Sequence, residues 1–276
     1  MTEDFLERRR PAGWPAGVPP ALGGEDAAGP AAETAAFHEQ GFVIFPSLLS
    51  SGEVDALRAA ADALVDRGAE VIDEAGVPET PKMLFGAHLV HDTFARVPRH
   101  PLLLHLVEQV LGGVVHVFQS RLNVKKEFSG SGWAWHQDFN QWYRHDGMRT
   151  PRAAVVGVFL DDVNACNGPL MMIPRSQRRG HIFVPDRMDV PADVVRDAAN
   201  EHGIVPLMGP PGTVIVFDCL ILHGSAPNIS PWPRRIFYMN FVPAALHELE
   251  PRRPRFECDP VPVALTPLPE NCLVAP

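Results

Sequence analysis

The sequence predicts a mainly β fold, either a β-sandwich or a jelly roll, with a layer of helices packed against it. Apolar residues recur at helical spacing early in the chain, whereas β-branched and aromatic runs bounded by Gly, Pro and Asn dominate after residue 113. Helices followed by many strands are typical of a sheet that carries its helices on one face. The length of 276 residues, 46% of them hydrophobic, suits one large domain with a continuous core.

Two helices and six strands account for most of this pattern. Residues 51–68 follow a serine N-cap and end at a glycine, while residues 101–113 begin at a proline and end at two glycines, which predicts a helix over each segment. The predicted strands are FVIF at 42–45 and the runs at 114–125, 153–163, 170–174, 212–222 and 234–243.

The two ends of the chain differ in composition from the domain between them. Residues 1–33 are rich in Pro, Gly and Ala without a hydrophobic period, which predicts a flexible N-terminal arm. Residues 34–250 are predicted to form the β domain. Residues 251–276 contain seven prolines and are predicted to be a Pro-rich C-terminal tail.

Charge and composition exclude several classes of partner. The formal net charge of −9 argues against a nucleic-acid surface, because phosphate binding needs clustered cations. No apolar stretch is long enough to cross a membrane, and the acidic start of the chain is unlike a secretory signal. Four sparse cysteines indicate reduced thiols and a cytoplasmic location. We therefore expect a small-molecule ligand; the sequence leaves open whether the chain is a monomer or a homodimer.

The segment GWAWHQDFNQWYRHDGM at 132–148 contains the strongest chemical signal, a histidine and a carboxylate two residues apart. His136 and Asp138 would point to the same side of a strand, because strand side chains alternate with period two. A zinc hydrolase would more often show a helical H-E-x-x-H pair or cysteines. A third ligand, His223, is expected at the end of the strand in TVIVFDCLILHGS. Two histidines and one carboxylate are typical of non-haem iron(II) oxygenases.

Arginines and a polar strand face accompany this predicted metal site. Arg234 follows His223 by eleven residues and opens another strand, where its guanidinium is suited to grip a carboxylate in bidentate fashion. The rival interpretations are that Arg235 has this role or that Arg234 forms a surface ion pair. Gln119, Arg121 and Asn123 alternate along one strand and share a face, so they are candidates for polar contacts.

The order H-x-D, distant His, then Arg resembles the iron(II)/2-oxoglutarate dioxygenases of the phytanoyl-CoA hydroxylase superfamily. The resemblance covers roughly residues 36–245 and begins with QGFVIFPSLLSSGEVDALR. Within the superfamily, the segments QSRLNVK, WHQDFNQWYRHDGM, NGPLMMIP and DCLILHGSAPNISPWPR are similar, in the same order, to those of ectoine hydroxylases and related free-amino-acid hydroxylases.

This resemblance implies a double-stranded β-helix (jelly roll, cupin-like) that binds Fe(2+), 2-oxoglutarate and O2. The implied reaction hydroxylates an unactivated C–H bond of a small amino-acid-like substrate and releases succinate and CO2. The expected metal ligands are His136, Asp138 and His223. The expected cofactor-binding residues are Arg234, Asn123, Gln119 and Trp142. The expected substrate contacts are Arg121, Trp133, Trp135 and Phe139, since the aromatic residues can shield a reactive centre and accept a cationic group.

The sequence also departs from the ectoine enzymes. They usually carry Ser at the position of Gln137 and Glu-Thr at the positions of Asn140 and Gln141, and a serine that helps to hold their cosubstrate aligns with Val155. Asp138 argues against the halogenating relatives, which lose this carboxylate. The dioxygenase chemistry is expected to survive these changes, whereas the substrate does not carry over.

Three alternative functions stay open at the level of sequence. The first is ectoine hydroxylation itself. The second is a catalytically silent, cupin-type binding protein, although such a protein has no physical need for all three metal ligands and the arginine. The third is a zinc hydrolase, whose activity would be indifferent to 2-oxoglutarate.

Overall fold

The computed structural model describes residues 30–66, 71–72, 82–128, 132–185, 187–246, 249–250, 253 and 263–274. Within these residues two antiparallel sheets pack against each other, and helices cover the outer face of the larger sheet. The predicted mainly β fold with flanking helices is confirmed. The predicted arm lies almost entirely outside the described residues, and the first described helix begins at Pro30, inside its predicted boundary.

The helices and strands follow one another along the chain without a second domain in the described part. The helices are α1 (Pro30–Gln40), α2 (Ser51–Asp66), α3 (Ala87–Val90), α4 (Asp92–Arg96), α5 (Pro101–Leu111), α6 (Asp138–His145) and α7 (Ala192–His202). The strands are β1 (Phe42–Phe45), β2 (Val71–Ile72), β3 (Lys82–Phe85), β4 (Val115–Lys125), β5 (Trp133–His136), β6 (Ala154–Phe159), β7 (Leu170–Met172), β8 (Val205–Leu207), β9 (Val214–Asp218), β10 (His223–Ser225) and β11 (Arg234–Pro243).

Long strands form the centre of the larger sheet, whose order is β1-β9-β6-β11-β4-β3-β2. Strand β11 pairs with β4 on one side and with β6 on the other, and its first residue, Arg234, lies opposite the last residue of β4, Lys125. The smaller sheet has the order β5-β10-β7-β8. The two sheets therefore bring the ends of β4, β10 and β11 to one side of the fold.

Alternation along the central strands separates two cores. In β11, Phe237 and Met239 pack against the helical layer, while Ile236 and Tyr238 pack between the sheets. This is the period-two geometry expected of a sheet that is buried on both faces. The run RRIFYMNFVP is buried along almost its whole length because both faces of the strand are covered.

Local capping signals define the helical layer as the sequence predicts. The backbone N–H and the hydroxyl of Ser50 donate to the Glu53 carboxylate at 2.7 and 2.6 Å, which caps the start of α2. Helix α5 begins at Pro101 and ends at Gly112, whose φ of 75° is readily adopted by glycine. In the described ranges, no helix combines the length and the apolar character that a membrane crossing requires.

The described part of the C-terminal tail, residues 263–274, lies across the helical layer. The Leu268 N–H donates to the Arg99 carbonyl at 2.9 Å, and the Leu265 N–H donates to the Val115 carbonyl at 3.2 Å. Cys272 and Leu273 are buried in the core beneath the helices. This part of the tail thus contributes to the folded domain.

The packing of Phe237 gives a test of this architecture. Phe237 is fully buried, and its ring centroid lies 4.6 Å from that of Phe94 in the helical layer. We expect Phe237→Ala to lower the free energy of unfolding by about 3–5 kcal/mol, because it leaves a cavity between layers. Chemical denaturation measures this change. Phe128→Ala, at a residue 69% exposed, is the matched control and should change it by less than about 0.5 kcal/mol; equal losses in both variants would contradict the layer assignment.

Candidate metal centre

The three predicted metal ligands converge between the two sheets. The Nε2 atoms of His136 and His223 lie 3.6 and 3.8 Å from Oδ1 of Asp138, and the three donor atoms all lie within 4.8 Å of one another. Metal–ligand bonds of about 2.0–2.2 Å place neighbouring donors about 3 Å apart, so each histidine nitrogen needs to approach the Asp138 oxygen by less than about 1 Å for the two to share an ion. No fourth His, Cys, Asp or Glu joins the group among the described residues.

Both histidine rings are oriented by their own strands. Nδ1 of His136 donates to the Ala134 carbonyl at 2.7 Å, and Nδ1 of His223 donates to the Ile221 carbonyl at 3.1 Å. Such contacts fix the tautomer that leaves Nε2 as the free lone pair, as is common for metal-binding histidines. Both Nε2 atoms therefore present electron pairs to the position next to Asp138.

The charges around the three ligands favour the protonation states that a cation requires. Burial raises the pKa of the Asp138 carboxyl, but the Arg121 guanidinium and the two histidine rings together hold this pKa well below its usual range. Burial and the neighbouring His136 ring lower the pKa of His223 to about 3, so its imidazole is neutral at pH 7. A carboxylate and a neutral imidazole are the ligand forms that bind metal ions.

A short strand pair and a helix start determine this geometry. His136 and His223 are cross-strand partners in β5 and β10, which places their ring centroids 4.2 Å apart. Gly224 lets the strands approach, since a Cβ there would lie 2.9 Å from the Trp133 carbonyl oxygen. His136 ends β5, the backbone of Gln137 is extended, and Asp138 is the first residue of α6 rather than a strand residue. His136 and Asp138 point to the same side, as the sequence predicts, because the backbone stays extended through Gln137.

The triad lies in a cavity of about 560 Å³ between the sheets. The predicted site residues that line it are Gln119, Arg121, Asn123, Trp133, His136, Asp138, Trp142, His223 and Arg234. Trp142 follows Asp138 by four residues on α6, so one helical turn returns its side chain to the cavity. Nine of the eleven predicted site residues thus meet in one space.

Trp135 and Phe139 are predicted substrate contacts, but the structure places them away from the cavity. The pairing of β5 with β10 shifts register between Trp133 and His136, so Trp133 and His136 both line the cavity. Trp135 packs instead beside Ile173 and Val190. Phe139 is one residue beyond Asp138 on a helix, which turns its ring into the core between the sheets.

Arg121 contacts a metal ligand directly. Its guanidinium donates to Oδ2 of Asp138 at 3.0 Å and to the Gln119 side-chain oxygen at 3.0 Å, and it lies 5.2 Å from the centroid of the Tyr238 ring. Arg121 therefore orients the Asp138 carboxylate, leaving Oδ1 toward the histidines. The sequence predicts Arg121 as a substrate contact and does not indicate this second role.

Arg234 and Arg235 have opposite environments. Arg235 forms ion pairs with Asp161 at 2.9 Å and Asp62 at 2.7 Å. Arg234 is 1% exposed, lines the cavity, and has no hydrogen-bond partner for its Nε among the described residues. Burial lowers the pKa of Arg234, while the neighbouring Tyr238 raises it. Of these two arginines, therefore, Arg234 faces the cavity without a carboxylate partner among the described residues, and Arg235 is bound outside the cavity.

Ser225 and Tyr238 also line the cavity, and Lys125 lies behind Ser225; none of the three was predicted from the sequence. Lys125 is fully buried opposite Arg234, and its Nζ donates to the Ser225 hydroxyl at 2.8 Å and to the Ala226 carbonyl. Lys125 continues the period of Gln119, Arg121 and Asn123, Ser225 continues that of His223, and Tyr238 that of Arg234. The period-two rule therefore contained the signal for all three residues.

A jelly roll that presents two histidines and one carboxylate with an open side defines the class of non-haem iron oxygenases. The model of the phytanoyl-CoA dioxygenase (PhyH) family matches residues 37–236, and the chain belongs to this family. The sequence resemblance is thereby confirmed, as are the predicted enzyme class, a 2-oxoglutarate-dependent non-haem iron dioxygenase, and its cofactors.

Individual relatives are similar over most of their length. The ectoine dioxygenase of Halomonas elongata is 34% identical over 86% of this chain and 79% of that protein. The L-proline trans-4-hydroxylase of Streptomyces griseoviridis is 33% identical over 80% of this chain and 89% of that protein. The crystal structure of EctD from S. alaskensis with 2-oxoglutarate and 5-hydroxyectoine has a TM-score of 0.79 at 32% identity and 89% coverage of both chains.

The triad predicts a specific loss of metal binding. We expect Asp138→Ala to weaken Fe(II) binding by at least about 100-fold, because it removes the only anionic ligand and leaves the Arg121 cation in its place. Anaerobic Fe(II) titration measures this affinity, and circular dichroism checks the fold. Asp162→Ala, at an exposed residue outside the cavity, is the control; unchanged affinity in Asp138→Ala would assign the carboxylate ligand elsewhere.

Proposed function

We propose that this dioxygenase hydroxylates an unactivated C–H bond of a small amino-acid-like molecule, using the His136, Asp138 and His223 triad. The observation that carries the proposal is the cavity that joins the triad to Arg234, a buried arginine without a carboxylate partner among the described residues. When bound, Fe(II) and 2-oxoglutarate supply the oxidising chemistry: O2 is consumed, 2-oxoglutarate becomes succinate and CO2, and one oxygen atom enters the substrate. The protein residues position the reactants and limit the access of water.

Two unpaired cations support a binding site for the far carboxylate of 2-oxoglutarate. None of the described carboxylates forms an ion pair with Arg234 or Lys125. Burial and the charge of Arg234 lower the pKa of Lys125 to about 7. Two adjacent buried cations are unfavourable unless an anion joins them, and the far end of a dicarboxylate is such an anion. Arg234 grips it in bidentate fashion in this proposal, and Lys125 adds a second positive charge.

Ser225 completes this carboxylate site. Its Oγ accepts a hydrogen bond from Lys125, whose ammonium group can only donate. The hydroxyl hydrogen of Ser225 is therefore free to donate to another acceptor, and Ser225 lines the cavity beside Arg234. We propose that Asn123, Gln119 and Trp142 also line the part of the cavity that binds the cofactors.

The substrate side of the cavity is formed by Arg121 and Trp133. The Trp133 ring centroid lies 6.5 Å from that of His136, and its indole Nε1 is buried with no partner among the described residues. A substrate with a carboxylate or carbonyl group satisfies this donor. Arg121 adds positive charge, but Asp138 already compensates part of it. An amino-acid-like molecule matches both features.

The overall sequence identity does not show whether the substrate is ectoine or a free amino acid. The relatives that are named for ectoine and for proline are 34% and 33% identical to this chain. The residues that differ from ectoine enzymes include Gln141, which lines the cavity. We therefore keep ectoine as the alternative substrate. We further propose a cytoplasmic location and assembly as a homodimer.

The cosubstrate site predicts a selective kinetic effect. We expect Arg234→Ala to raise the KM for 2-oxoglutarate by about 10- to 100-fold, because a charge-assisted, bidentate contact is lost, while the KM of the prime substrate changes little. Initial rates at varied 2-oxoglutarate measure this effect. Arg235→Ala is the matched control, because the Arg235 guanidinium is bound by Asp161 on the other face of the strand. A larger increase in the KM for 2-oxoglutarate in Arg235→Ala than in Arg234→Ala would identify Arg235 as the residue that binds the carboxylate.

Two measurements test the proposed function. Anaerobic addition of Fe(II) and 2-oxoglutarate should produce the visible charge-transfer band of a chelated keto acid, and a folded protein without this band would favour the silent binding protein. Succinate release should then be measured with ectoine, leucine, proline, pipecolate, arginine and citrulline. Stimulation by ectoine alone would select the alternative substrate. Hydrolytic activity that ignores 2-oxoglutarate would favour a zinc hydrolase.

A further inference from the structure

Gln137 lies between two metal ligands, yet its side chain points away from the metal position. The residue is fully buried, and its neighbours His136 and Asp138 direct their side chains to the triad. Because the backbone is extended at this point, the Gln137 carboxamide emerges on the opposite face. Its contacts therefore lie behind the metal centre rather than in the cavity.

The carboxamide connects three separate segments of the chain. Its Nε2 donates to the Leu220 carbonyl at 2.6 Å and to the Gly180 carbonyl at 2.9 Å, and its Oε1 accepts from the Ile182 N–H at 2.8 Å. Both amide hydrogens and the amide oxygen are thus used. A buried glutamine with this many backbone partners is held in one orientation.

One of these partners leads directly to the third metal ligand. The Leu220 carbonyl belongs to the turn that precedes β10, and the next carbonyl, that of Ile221, accepts the hydrogen bond from Nδ1 of His223. Fixing the Leu220 carbonyl therefore restrains the neighbouring peptide that orients the His223 ring. The strand with the first ligand and the turn before the third are joined through one side chain.

We propose that Gln137 is a positioning residue of the metal centre. It holds the extended segment from His136 to Asp138 in register with the turn before His223. This inference rests on the proposed metal site. The serine that the resemblance places here in ectoine enzymes is too short to reach three backbone groups. Gln137 acts through hydrogen bonds to the backbone, not through contact with a ligand.

A substitution that keeps length but removes hydrogen bonding tests the inference. Gln137→Met should raise the apparent dissociation constant for Fe(II) about 10- to 100-fold, the range expected when an outer contact of a metal ligand is lost. The charge-transfer band with 2-oxoglutarate should shift or weaken, and less product should form per succinate released. If Gln137→Met does not fold, Gln137→Glu, which keeps the acceptor for Ile182 but loses both donors, is measured in the same way.

Gln177→Met is the matched control. The Gln177 side chain also donates to backbone carbonyls of another segment, those of His38 at 3.2 Å and Glu39 at 3.5 Å, but both acceptors belong to α1 and not to the segments that carry the triad. Gln177→Met should change the melting temperature but leave the Fe(II) affinity, the charge-transfer band and the product-to-succinate ratio unchanged. If the Gln137 variants lower the melting temperature yet keep wild-type Fe(II) affinity, band and product-to-succinate ratio, Gln137 is merely structural and the inference is overturned. A wild-type protein that binds no Fe(II) would instead refute the proposed function.

Discussion

The antiparallel pairing of β5 with β10 is the constraint on which the site depends. It places His136 opposite His223, and the absence of a side chain at Gly224 lets the two strands approach. Asp138 can join them because the chain is extended for one more residue before α6 begins. A shift of β10 by one residue would turn His223 to the other face and remove one of the three donors.

The polar groups inside this framework are arranged by charge. Near the triad, Arg121 compensates the Asp138 carboxylate and leaves one of its oxygens toward the histidines. At the far end, Lys125 and Arg234 lie side by side without a compensating anion in the described part of the chain. The cavity therefore has a nearly neutral end with free electron pairs and an end that carries Arg234, with Lys125 behind it, which matches a metal cation and a dicarboxylate lying next to each other.

The sequence predicts the fold class and two helices of the outer layer because these depend on local signals, and it predicts the three metal ligands from a local His-x-Asp pair together with the family resemblance. Capping residues mark α2 and α5, and strand alternation predicts the shared face of Gln119, Arg121 and Asn123. Helix α6 is not predicted, because its aromatic residues favour a strand. The pattern WHQDF also reads as the continuation of β5, which in fact ends just before Asp138. The misplacement of Trp135 and Phe139 has the same origin, since a register shift and a helix start both break period two.

Other parts of the site depend on contacts between distant segments. The sequence alone cannot show that Arg235 is bound by Asp161 and Asp62 while Arg234 is not, because both arginines occupy the same strand run. The contacts of Gln137 with Gly180, Ile182 and Leu220 likewise require the tertiary structure. Such residues are visible in the sequence only as departures from related enzymes.

The unmatched Lys125 and Arg234 have a consequence for the lifetime of the protein. A dicarboxylate that neutralises them binds the folded chain and not the unfolded one, so it stabilises the fold by mass action as its concentration rises. If 2-oxoglutarate is this dicarboxylate, as proposed, its removal would raise the unfolded fraction and thereby expose the chain to proteolysis.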